Sequence, residues 1–133
     1  MTNHIWRKTV DPYDHTLELS DDPKVALSML RKRSPDLADS DEGSPIGCTK
    51  FYNHGLDQAC EVEGCLGLHT LIIIDKQAIE NLGRKDLLLR TIVHEVVHAS
   101  QGILESTGIK DDSGEALAYL ADYLFGYVRE TLS

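Results

Sequence analysis

A chain of 133 residues with 41% hydrophobic and 26% charged side chains has the balance of an ordinary globular protein. It is long enough to fold as one domain, taken here as residues 1–133, without metal or disulfide staples. A formal charge of -9 and a pI near 5.0 disfavour nonspecific attraction to nucleic acid or anionic lipid. The strongest apolar stretch, residues 71–74, falls far short of the roughly 20 residues needed to cross a bilayer, and the first ten residues lack the apolar core of a secretion signal. The three cysteines, an odd number, fit a reducing compartment better than a disulfide framework, so the cytoplasm is the expected location.

Along the chain, residues 5–10 and 15–19 read as short strands separated by the turn signal Asp11-Pro12. Asp22 and Pro23 then suit the N-cap and first position of a helix ending near Arg33. Residues 34–47, rich in Ser, Pro, Asp and Gly, read as an internal loop. Short strands are expected at 48–53 and 60–63, and the clearest strand at 68–75, around the Ile72-Ile73-Ile74 triplet. Residues 84–101 form a proline-free helical stretch that Gly102 is expected to stop. A last helix opens at Asp112 or Ser113 and runs to about Thr131, with Leu117, Leu120, Ala121, Leu124 and Val128 on a three-and-four spacing. The expected class is α+β: an N-terminal helix, a small sheet and two C-terminal helices.

The chemistry lies on those last helices. In His94-Glu95-Val96-Val97-His98 the two histidines are four apart, one turn of a helix, and project from one face where they can hold a single metal ion. Neutral imidazole suits zinc, and Glu95 between them reaches a water on the metal rather than the metal itself. Ile92, Val93, Val96 and Val97 are expected to bury the back of this helix and make it a rigid platform.

A catalytic zinc usually takes three protein ligands and keeps one open position. No histidine follows His98 and no cysteine follows Cys65, so a downstream ligand must be a carboxylate or, less aptly, a tyrosine. Gln101 and Leu104 stand where the metzincin pattern has its glycine and third histidine. The acids left are Glu105, Asp111, Asp112, Glu115, Asp122 and Glu130. Of these Glu115 and Asp122 lie inside the last helix with one face free of large apolar residues, and Glu115 is preferred. Asp112-Ser113-Gly114-Glu115 also fits a capping box, in which the same carboxylate returns to the N-cap amide and does no chemistry. Glu105 or the Asp111-Asp112 pair is the remaining choice.

His94-Glu95-x-x-His98 followed by Gly114-Glu115-Ala116-Leu117-Ala118-Tyr119 resembles the active-site core of the gluzincins, including the small zincin-type metallopeptidases of phages and prophages. The resemblance covers about residues 68–128. It implies a zincin-like fold, Glu115 as third zinc ligand, an edge strand presented to the substrate, hydrolysis of a peptide bond in a protein or peptide, and a host cytoplasm if the gene is a phage's. Tyr119 stands where thermolysin-like enzymes carry an aspartate that orients a histidine.

Tyr119, one turn beyond Glu115, is a candidate oxyanion donor against the alternative of a half-buried core tyrosine, and Asp122 a candidate orienter of a histidine nitrogen against that of a solvated acid. Cys48, His54, Cys60 and Cys65 carry the ligand types of a structural zinc but lack a tight Cys-x-x-Cys knuckle, so buried thiols are the simpler reading. His69 is read as structural. A chain this short leaves the cleft little wall, which suggests a partner protein completing it or a narrow target. Two alternatives to a peptidase share the motif: a catalytically silent zincin-fold binding or assembly protein with a structural zinc, and a hydrolase of small amides.

Overall fold

The computed structural model describes residues 4–10, 15–33, 46–53, 68–110 and 113–133. In chain order these hold β1 (Ile5–Val10), β2 (His15–Ser20), α1 (Pro23–Arg33), β3 (Gly47–Asn53), β4 (Leu68–Ile74), α2 (Lys76–Leu82), α3 (Leu87–Thr107) and α4 (Glu115–Leu132). The class is α+β. The sheet order is β1-β2-β4-β3, with β2 and β4 parallel at the centre and β1 and β3 antiparallel to them at the edges.

The central pair is buried on both faces, which is why 71–74 is a continuous apolar run rather than an alternating one. Leu17, Leu19, Ile72 and Ile74 face α3 and α4, joined by Ile92, Val96, Ala99, Ile103, Leu120, Leu124 and Val128. Leu71, Ile73 and Tyr52 face the other way, onto Ala26 and Leu30 of α1. Each large side chain fully buried here stabilises the fold by about 1.5–3 kcal/mol.

Capping follows the sequence where short polar residues stand at helix starts. The Lys24 amide donates to Asp22 Oδ1 (3.0 Å) at the start of α1, and Pro23 occupies its first position. The Ala78 amide donates to Asp75 Oδ1 (3.1 Å), and Gly83 closes α2 at φ 69°. This short helix was not expected from the sequence.

Two expectations for α3 are corrected. The helix passes through Gly102 and stops at Gly108, φ 70°, whose amide donates to the Glu105 carbonyl (3.2 Å). Gly102 sits at a close approach instead: a Cβ there would lie 2.2 Å from two ring carbons of Phe51 on β3, so a larger residue requires that exposed ring to move aside. Of the four β-branched residues, Ile92 and Val96 are buried, whereas Val93 and Val97 are 48% and 36% exposed. The helical repeat turns them away from the face shared by residues 92, 96, 99 and 103.

The first residue of β2 carries a pH dependence. His15 is 2% exposed, and its Nε2 shares a 2.6 Å hydrogen bond with Thr70 Oγ1. Burial, reinforced by nearby His69, pushes its pKa from 6.5 down to about 4. The unfolded chain takes up this proton near pH 6.5 while the folded chain refuses it until about pH 4. Stability is therefore present above pH 6.5 and lost as the pH falls through that window, by about 2–3 kcal/mol at pH 4.5. Urea unfolding at pH 7 and 4.5 should show a clearly smaller loss for His15→Gln than for the parent; equal losses would place the proton uptake elsewhere.

Candidate functional site

The helical repeat of α3 sets His94 and His98 one turn apart on its exposed face. Their Nε2 atoms approach to 3.2 Å, with ring centroids 4.7 Å apart and planes 76° from parallel. Glu95 leaves the same turn on the flank facing β3 and is only 3% exposed. Its Oε1 accepts a hydrogen bond from Thr49 Oγ1 (2.8 Å), a hydroxyl that also lies 3.2 Å from the Glu95 carbonyl oxygen. Its Oε2 lies 4.0 Å from His94 Nε2.

Glycine at position 47 makes this approach possible. A Cβ there would sit 2.9 Å from Thr91 Cγ2 and 3.1 Å from Glu95 Oε2, displacing the carboxylate or the strand. The Thr91 hydroxyl, one turn earlier, donates to the Leu87 carbonyl (2.8 Å) and so turns its methyl toward Gly47. A cleft of about 310 Å³ opens beside His94 and Glu95, lined also by Ile46, Leu87, Thr91, Arg84 and Arg90. Asp86 lies between those two arginines, 3.9 and 3.5 Å away.

The structure therefore brings together His94, His98 and Glu95. The other expected residues stand apart. Glu115 is exposed at the first position of α4, where the N-cap is Gly114 (φ 79°) and the Glu115 amide donates to Ser113 Oγ (3.4 Å). Asp112, the N-cap of the capping box expected from the sequence, lies outside the described residues. Among the described residues no group of three His, Cys, Asp or Glu side chains is placed to hold a metal. Glu105 and Asp122 are exposed, and Asp111 and Asp112 lie outside the described residues. Tyr119 is 73% exposed, and among the described residues no hydrogen bond joins it to Glu95 or to either histidine.

Of the second constellation, His54, Cys60 and Cys65 lie outside the described residues, as does the strand expected at 60–63. Cys48 is on β3, partly buried against the cluster under α1, and burial pushes its thiol pKa up. His69 is fully buried, with Nδ1 3.0 Å from Glu18 Oε1.

Thr49 and Gly47 escaped sequence reasoning. A Thr and a Gly in a short edge strand carry no signal until the register of β3 against α3 is known. No family model matches the chain, and no curated protein and no solved structure matches it.

Proposed function

We propose that this chain is a zincin-like, zinc-dependent peptidase in which His94 and His98 hold the metal and Glu95 is the general base. One observation carries the reading. Two nitrogens bound to one tetrahedral zinc at about 2.0–2.1 Å must lie about 3.3 Å apart, and the two Nε2 atoms already stand at 3.2 Å. Glu115 is proposed as the third ligand on the resemblance of the motif, since it is not gathered with the pair.

Zinc bound there would supply Lewis acidity, lowering the pKa of its water and polarising a carbonyl oxygen. The chain's own work is to place the base. With Oε1 held by Thr49, Glu95 takes the proton at Oε2, the oxygen on the His94 side, and returns it to the leaving amine. β3 is an edge strand beside the site, which suits an extended peptide as substrate by strand addition. The open cleft suits a partner protein that completes it. No helix of the described residues is long and apolar enough to cross a membrane.

The absence of a three-ligand group among the described residues favours a second reading, a silent zincin-fold binding protein; a small-amide hydrolase would share the base and metal. Glu95→Gln separates them. On a fluorescence-quenched peptide library, the peptidase reading expects unchanged zinc content and cleavage reduced by about 10²–10⁴-fold. A parent protein that retains zinc and cleaves none of the peptides overturns it.

A further inference from the structure

We propose that Thr49 is the positioning residue of the catalytic base, and that its hydroxyl, rather than its bulk, sets the rate of the chemical step. This rests on the reading of Glu95 as base. Thr49 lies on the face of β3 turned to α3, as Phe51 does two residues on, so its register is fixed by strand geometry and by the Phe51–Gly102 approach.

Its single proton goes to Glu95 Oε1 at 2.8 Å, the shorter of its two contacts. A glutamate has several rotatable bonds, and an unrestrained one loses conformational entropy each time it must face the metal. The bond from Thr49 removes that freedom from one oxygen and leaves Oε2 on the His94 side. Gly47, two residues earlier on the same face, admits the carboxylate to the strand, and Thr49 holds it there. The edge strand and the base thus form one unit.

The test uses Thr49→Val, which keeps the shape, and Thr49→Ser, which keeps the hydroxyl. Thr49 is not a ligand, so zinc affinity by chelator competition should stay within about 2-fold. On the same peptide library, Thr49→Val should lower kcat by about 10–100-fold with KM nearly unchanged, and Thr49→Ser should restore most of it. Equal losses in Val and Ser, or a loss confined to KM, would overturn the positioning role.

A second measurement needs no activity. Thermal midpoints of metal-free Thr49→Val, Glu95→Ala and the double variant should be non-additive, the double losing less than the two singles together. Additive midpoints overturn the hydrogen bond itself. A parent protein without peptidase activity overturns the function instead, so the two failures are distinguishable.

Discussion

Replacement of His98 by alanine is expected to strip zinc from the protein, with affinity falling by more than about 100-fold. Loss of an outer partner of a zinc ligand alone costs about 10–100-fold, and loss of a ligand must exceed that. His94→Ala should behave in the same way. Both side chains are exposed on α3 and contribute nothing to its buried face, so unfolding transitions of the metal-free variants should match the parent within about 0.5 kcal/mol. Missing zinc then cannot be blamed on a lost fold. Zinc content after gel filtration, followed by chelator competition, reads the result directly.

The same measurement on Glu115→Ala addresses the third ligand. A drop of more than about 100-fold, above what loss of an outer partner costs, supports Glu115, which must then swing toward the histidines from the first turn of α4. Unchanged affinity for Glu115→Ala with a drop for Glu105→Ala would move the assignment to α3 itself. Unchanged zinc in both histidine variants would end the metal reading altogether.

Much of this site was legible because it is local. Four residues on one helix settle the direction of His94 and His98, and helical geometry needs no knowledge of the rest of the fold. The strands 5–10 and 68–74, the start of α1 and the regular spacing of α4 were legible for the same reason. Gly102 shows where local reasoning fails. A glycine after a helical run has two uses, ending the helix or admitting a neighbour, and only the position of Phe51 distinguishes them. Val93 and Val97 show a milder failure, since composition proposed burial where the helical repeat assigns exposure. Thr49 and Gly47 depend wholly on which strand lies beside α3, a long-range fact with no local trace. Glu115 depends on how α4 meets α3, and there the motif's spacing says less than the histidine pair does.

The face of the sheet opposite α3 carries the largest stability prediction. Glu18, in the middle of β2, is fully buried. Its Oε2 accepts from Arg7 Nε (2.8 Å), and its Oε1 accepts from the Tyr52 hydroxyl and lies 3.0 Å from His69 Nδ1. The Tyr52 and His69 rings stack with centroids 4.8 Å apart and planes 11° from parallel. One carboxylate thereby joins all four strands, since Arg7 comes from β1, Tyr52 from β3 and His69 from β4.

Glu18→Ala removes the acceptor that three buried or half-buried donors share. Breaking a buried ion pair from one side costs about 3–5 kcal/mol, a large part of the 5–15 kcal/mol typical of a domain's total stability. At this chain length that corresponds to a fall of roughly 10–20 °C in Tm. Arg7→Met breaks the same pair from its partly exposed side and should cost less than Glu18→Ala, because Tyr52 and His69 keep their acceptor. A fall of less than about 3 °C for Glu18→Ala would show that the network is dispensable. The consequence reaches the face that carries Glu95, because β3 is gripped from one side through Tyr52 while it holds Glu95 from the other through Thr49. In the Glu18→Ala background the non-additivity of the metal-free midpoints of Thr49→Val and Glu95→Ala should shrink, since the strand that carries the hydroxyl has lost its anchor.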